Sequence, residues 1–444
     1  MRRDYLTTES PMKALFLFSL PMILGNFFLQ FYNTVDAAIV GRYVSEQALA
    51  AVGASYALTT VFISIAIGGG VGASVIVARY FGAKDYDHMK EAIYTSFVAF
   101  LILSTLLGGF GYAFSRQIMA WLRTPADSIA LADTYLSIYF IGLPFLFMYN
   151  IIAATFNALG KSRWPLAFLI FSSLSNIVMD IYMVKNLGMG VAGAAWATVI
   201  AQGASAVLSF FVLLWTIKPL GSASSLFSPS QLHNMTTIAL PSIFQQSIVS
   251  IGMMLVQSVV NSFGSAALAG FSAAMRIDYV CTVPMNAIGN ALSPYTSQNL
   301  GAKQVDRVVE GYHSGNKLIA AYALALFIIL QLWSAPLIKF FLPENYNPVA
   351  LETGTGLLTF TGCFFAMIGF KMAVDGVLRG SGDMKMFTIA NMTNLTLRVC
   401  ISVFLAPIFG IQMVWIATPI GWTANFLISY SEYRTGKWKT KLQL

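Results

Sequence analysis

Residues 166–184 read LAFLIFSSLSNIVMDIYMV. A stretch of this length and composition is close to the ~20 apolar residues a helix needs to cross a bilayer. It nevertheless carries Asn176 and Asp180, four residues apart and therefore on one helix face. A charged Asp at the bilayer centre costs roughly 2.5–3.5 kcal/mol on insertion scales, so something must offset it. What offsets it depends on the rest of the chain.

The chain has 444 residues, of which 57% are hydrophobic and 10% charged, with a mean hydropathy of +0.70. Soluble proteins average about 25% charged residues. The composition is that of an integral membrane protein, so the net charge of +8 gives no argument for nucleic-acid binding. The opening MRRDYLTTESPMK leads into an apolar run without a small-residue cleavage site, so no removable signal peptide is expected. Cys281, Cys363 and Cys400 lie in apolar context with no metal or disulfide spacing, and the three histidines are scattered.

Twelve spans are expected: 12–36, 47–77, 92–115, 128–155, 165–187, 190–216, 235–260, 265–297, 314–342, 350–378, 386–408 and 410–432. Prolines inside them, Pro21 among them, are tolerated because neighbouring helices satisfy the freed backbone groups. With the N-terminus cytoplasmic, eighteen of the Lys and Arg residues fall inside, five outside and three within spans. The positive-inside rule then places both termini in the cytoplasm of a cell membrane.

An internal repeat runs through these spans. Leu20-Pro21 returns as Leu240-Pro241, FGAK at 81–84 as LGAK at 300–303, LGKS at 159–162 as SGDM at 381–384, and Gly190 as Gly410. Each offset is within two of 220, about half the chain. With six spans per half, both halves sit the same way up, related by a pseudo-two-fold axis along the membrane normal. The expected fold is thus an all-α membrane protein of twelve transmembrane helices in two six-helix lobes. The lobes are 1–217 and 232–444, the second ending in a basic cytoplasmic tail, and KPLGSASSLFSPSQ, 218–231, links them on the cytoplasmic side. By fold-level analogy this is a transporter architecture suited to alternating access.

Ionisable residues within spans are functional-site hypotheses by default. Lys371 and Asp375 are spaced i,i+4 and can neutralise each other as a structural ion pair. Arg276 and Asp278 are two apart and do not face each other; Arg276 either lines a cleft or pairs with another helix. Arg398 is alone in its span and either snorkels or finds an acid elsewhere. Asn176 and Asp180 have no Lys or Arg one turn away. Such a carboxylate binds a proton, binds a cation, or meets a partner on another helix. At the repeat offset, Asn176 maps to Thr396, Asp180 to Cys400, Thr198 to Thr418, and Asp36 to Leu255 or Val256. A purely architectural acid would be needed twice, so this one-sidedness points to a coupling site in the N-terminal half. Two carboxylates, an amide and a hydroxyl are hard oxygen ligands, which suit Na⁺ or a proton rather than a soft metal.

The stretches LPMILGNFFLQFYNTVDAAIVGRY (20–43), FGAKDYDHMKEAI (81–93), FNALGKSRWPLAF (156–168) and GVLRGSGDMK (376–385), on the twelve-span repeat, resemble the multidrug and toxic compound extrusion (MATE) transporters over the full length. The match is closer to the prokaryotic DinF-like branch. That resemblance implies an N-lobe cation or proton site of an Asp on the first helix, Asn-x-x-x-Asp on the fifth and a Thr on the sixth. Here these are Asp36, Asn176, Asp180 and Thr198, with Tyr139 as the fourth-helix tyrosine and Pro21 as the bend-forming proline of the first helix. The NorM-like branch has a Glu on the seventh helix where this chain has Gln245 and Gln246, which favours the N-lobe site. The resemblance implies export of small amphipathic organic cations or drugs, driven by inward H⁺ or Na⁺ as coupling ion. No other cofactor is expected, a monomer in the lipid bilayer is expected, and no nucleic-acid partner.

An alternative function is a lipid-linked or polysaccharide flippase of a related superfamily, which calls for a basic cleft; only Arg276 and Arg398 offer one. No enzyme is expected. There is no HExxH, no Walker motif, and no His/Asp or Cys/His pairing of usable spacing. The glycine clusters GGGVG (68–72) and GSG (380–382) lack the flanks of phosphate loops and suit close helix packing or turns.

Overall fold

The computed structural model describes residues 4–121, 128–221 and 225–441. Arg2, Arg3, Arg123 and residues 222–224 of the expected linker lie outside the described residues. In chain order the helices are α1 (Tyr5–Thr8), α2 (Pro11–Tyr43), α3 (Glu46–Ala83), α4 (Tyr86–Trp121), α5 (Ile129–Ala158), α6 (Arg163–Asp180) and α7 (Gly190–Ile217). There follow α8 (Pro229–Asn261), α9 (Ser265–Gly301), α10 (Val305–Phe341), α11 (Pro348–Gly362), α12 (Phe365–Ser381), α13 (Met384–Cys400), α14 (Ala406–Phe409) and α15 (Gln412–Thr435). No strand occurs among the described residues.

Among the described residues, ten helices are long and apolar enough to cross a membrane, and the bent pair α11–α12 meets the same measure only when its two helices are taken together. The remaining long helix, α15, has 24 residues and is less apolar because Gln412, Thr418, Thr423 and Asn425 lie along it. Local sequence sets several ends. Ser45 caps α3 by accepting from the Ala48 N–H at 3.1 Å. Asn347 caps α11 by accepting from Val349 at 2.9 Å, with Pro348 in the first turn, where its missing N–H leaves no bond unmade.

The repeat is written into backbone geometry. Lys84 and Lys303, which close the FGAK and LGAK motifs, are the two left-handed non-glycine residues among those described, with φ of 59° and 60°. A wide π-helical turn follows Asp180 at Ile181–Asn186, and another follows Cys400 at Ile401–Leu405. Because the second turn has no acid beside it, the π-turns belong to the scaffold and not to the acidic site.

One expectation is corrected. Residues 350–378 are not one uninterrupted span: the chain bends by 54° between α11 and α12. The Cys363 and Phe364 N–H groups bond three residues back, to Phe360 and Thr361, which tightens the helix at the break. The break falls at the repeat counterpart of Leu143-Pro144, yet α5 continues through Pro144.

By packing, the molecule consists of two compact units, 24–243 and a second made of the residues up to 23 together with those from 244 onward. The chain passes from one unit to the other inside α2, between Ile23 and Leu24, and inside α8, between Ile243 and Phe244. Each passage lies two residues beyond its proline, Pro21 or Pro241. In the first unit α5 is central and packs on α3, α4 and α7. In the second unit α9 is central and packs on α10, α11 and α12. The core of this unit includes Phe271, Met285, Leu330, Phe365 and Trp422.

Candidate functional site

The acidic site lies wholly within the first unit. Helix α2 carries Tyr32 and Asp36 one turn apart, so both project from one face. Helix α6 starts just after a glycine turn, Gly160 at φ 72°, tolerates Pro165 in its first turn, and ends at Asp180. Its last turn therefore presents Asn176 and Asp180 together. Helix α7 contributes Thr198, and α5 contributes Tyr135 and Tyr139.

Asp180 is 0% exposed and Asn176 2%. The Asp36 and Asp180 carboxyls lie against each other at hydrogen-bonding range. The Asn176 amide is oriented by the network around it. Its Nδ2 donates to Asp180 Oδ2 at 2.8 Å and to the Tyr32 hydroxyl oxygen at 3.2 Å. Its Oδ1 accepts from the Thr198 N–H at 3.0 Å and from the Thr198 hydroxyl at 3.2 Å. Asp36 Oδ1 and Asp180 Oδ1 are both buried without a hydrogen-bond partner. Two adjacent carboxylates away from water repel, so this arrangement calls for a proton between them or a cation against them.

Asp36, Asn176, Asp180 and Thr198, named from the sequence, thus meet in one place. The Tyr139 hydroxyl does not reach them; it donates to the Thr59 carbonyl at 3.4 Å. The tyrosines whose rings lie close enough to feel both carboxylates are Tyr32 and Tyr135. Each lies four residues before a named residue, Asp36 or Tyr139, so the helical spacing was the available signal. A void of about 10 Å³ is lined by Tyr135, Tyr139, Thr198 and Gln202. That is room for about one water molecule.

The other intramembrane candidates belong to the second unit. Lys371 Nζ pairs with Asp375 Oδ2 at 3.0 Å. Asn391 joins the pair, accepting from Lys371 at 2.9 Å and donating to Asp375 at 3.1 Å, and Ser429 donates to Asp375 at 2.8 Å. With its charges matched and its oxygens satisfied, this cluster is a structural tie among α12, α13 and α15. Arg276 is exposed on α9, and Gln245 is half-buried on α8. Asp278 and Arg398 line a shared cavity of about 150 Å³. Among the described residues no group of three or more His, Cys, Asp or Glu could hold a metal ion. The repeat counterparts of the acidic site, Thr396 and Cys400, are exposed.

The chain is 28% identical over 435 residues to the probable multidrug resistance protein YpnP of Bacillus subtilis, covering 98% of this chain and 97% of that protein. It is 22% identical to a FAD transporter of Shewanella oneidensis, covering 95% and 93%. The solved structure of a MOP superfamily transporter from Pyrococcus furiosus superposes with a TM-score of 0.90 at 23% identity, covering 99% of each chain. The MatE family model matches residues 21–182 and 241–404. The two matched segments begin 220 positions apart, the offset of the repeat, and together they span most of the chain, which therefore belongs to the MatE family of transporters.

Proposed function

We propose that the protein is an antiporter that exports amphipathic, mostly cationic organic compounds by alternating access, driven by inward movement of H⁺ or Na⁺ through the Asp36–Asp180 pair. The observation that carries this reading is the pair itself: two carboxyls in contact, Asp180 buried and Asp36 half-buried, each with one buried oxygen unpartnered. The name of the Bacillus relative, a probable multidrug resistance protein, supports the cargo class.

The donor set fits a hard cation, since carboxylate, amide and hydroxyl oxygens are all present. A proton shared between the two carboxyls meets the same need. Inward movement of one charge down a 100 mV potential releases about 2.3 kcal/mol, before any concentration gradient.

Uptake of one proton takes the pair from two negative charges to one and relieves the repulsion between its carboxylates. Asp36 rides on α2, which carries Pro21 where the chain passes between units. A bend at that proline is the proposed link from protonation to release of cargo. Coupling of this kind is reciprocal, so cargo binding weakens proton binding by the same factor.

The test is ethidium efflux from everted vesicles under an imposed pH or Na⁺ gradient, for the native protein and Asp36→Asn. The reading predicts transport driven by one gradient and lost in the variant. Robust transport by both proteins alike would overturn the coupling role of the pair.

A further inference from the structure

The second unit holds a cavity that the acidic site does not use. It has a volume of about 150 Å³ and is lined by residues of α8, α9, α11, α12, α13 and α15. An apolar cavity of that size accommodates a benzene-sized body. Phe271, Trp415 and Trp422 supply aromatic walls, and Met253, Met275 and Met372 supply adaptable thioethers.

Its position is the repeat counterpart of the small void in the first unit. Trp415, Thr418 and Trp422 of this cavity stand 220 positions after Ala195, Thr198 and Gln202 of that void. Asp278 stands 219 positions after Thr59, the partner of Tyr139. The same place in the scaffold is water-sized in one unit and ligand-sized in the other.

The cavity also carries two opposite charges that do not cancel by contact. Asp278 and Arg398 both line it and feel each other electrostatically. They form no ion pair within 4.0 Å; the ion pairs among the described residues are Lys13–Glu9, His88–Asp85, Lys371–Asp375 and Lys441–Asp383. The hydrogen-bond acceptor that the Arg398 guanidinium reaches is the Met253 sulfur, at 3.5 Å, a weak one. Arg398 is held in place from behind. Its stem and Asn394 pack against Gly421 of α15, where any side chain would collide with both. A guanidinium fixed on one wall and a carboxylate on another, with an aromatic box between, match a small molecule bearing both charges on a flat apolar body.

We propose that this cavity is a binding site for a small aromatic zwitterion, whose carboxylate meets Arg398 and whose ammonium meets Asp278. The site is separate from the coupling pair, and its ligand class goes beyond the cationic cargo proposed above. Binding is read at equilibrium without any gradient, so its outcome does not depend on whether Asp36 and Asp180 couple transport.

The experiment is isothermal titration of the full-length protein in lipid nanodiscs with three probes built on one ring. They are 4-(aminomethyl)benzoate, which carries both charges, 4-methylbenzylamine, which carries only the positive one, and 4-methylbenzoate, which carries only the negative one. The zwitterion is expected to bind about tenfold or more tighter than either singly charged probe, the size of one charge-assisted hydrogen bond. Asp278→Asn should remove its advantage over the anion, and Arg398→Gln its advantage over the cation. No preference for the zwitterion in the native protein, or no binding of any probe, overturns the proposal without recourse to variants. A preference that survives both substitutions, in protein whose unfolding temperature is unchanged, overturns it as well.

Discussion

Asp180 ends α6 fully buried, with its carboxyl against that of Asp36 on α2, and each keeps one oxygen without a partner. Replacing either acid by its amide supplies an N–H where a proton or cation would otherwise be needed. Asp180→Asn is therefore expected to fold normally and to bind cargo irrespective of the gradient. Substrate-induced proton release from the purified protein, measured with a pH dye, should fall at least about fivefold, the lower end of usual coupling. Undiminished release from Asp180→Asn would remove the pair from the coupling mechanism.

Asn176 is the donor that Asp180 Oδ2 receives, at 2.8 Å. Asn176→Leu leaves that buried oxygen without a partner and should destabilise the protein by about 1–3 kcal/mol. The loss should shrink in an Asp180→Asn background, since the group left unpartnered is then no longer a carboxylate. Thermal unfolding of the four proteins of this cycle measures the coupling directly.

Lys371 and Asp375 form an ion pair with side chains 12% and 8% exposed. Lys371→Met removes one partner and strands the other charge, with an expected loss of about 3–5 kcal/mol. Lys371→Met combined with Asp375→Leu should recover most of it, because apolar replacement of a whole buried pair is often neutral. A double variant as unstable as the single one would show that Asp375 is needed for its bonds to Asn391 and Ser429.

Trp438 fastens the C-terminal segment. It is 1% exposed, stacks on Tyr433 at 5.4 Å, and donates its indole N–H to the Tyr433 carbonyl at 2.9 Å. Beyond it, Lys441 reaches Asp383 at 3.3 Å. Trp438→Ala removes a packing contribution of about 3–5 kcal/mol that is local to this end. Limited trypsin digestion should then cut at Lys437 to Lys441 at concentrations that leave the native protein intact, with the rest of the chain equally resistant in both.

Lys303 holds a left-handed backbone at φ 60°. That conformation carries a steric penalty for any residue with a Cβ and none for glycine. Lys303→Gly is expected to raise stability by up to about 1 kcal/mol, read as a higher unfolding temperature. Lys84→Gly, at φ 59° in the equivalent turn, should act alike if the two turns are true repeats of one another.

Much of the site was legible because its residues are polar where apolar ones were required. Asp36, Asn176, Asp180 and Thr198 stand out against their spans, and the absence of the first three from the second half of the repeat marks them further. The tyrosines were harder. Tyr32, Tyr135 and Tyr139 are ordinary residues for a membrane helix, and nothing in the spacing of Tyr135 and Tyr139 says which hydroxyl turns toward Thr59. The partners of Lys371 were half visible. Asp375 was, through the i,i+4 rule, but Asn391 comes from another helix, twenty residues on.

The sequence by itself determined the class, the repeat and the acids, because hydrophobic length and a constant offset are one-dimensional signals. Only the tertiary structure decided the rest. It breaks the span at 350–378 by 54°, draws the unit boundaries inside α2 and α8, and sets Arg398 apart from Asp278 across a cavity. Each of these depends on which helices lie side by side, and packing is a property of surfaces that residues far apart in the chain build together.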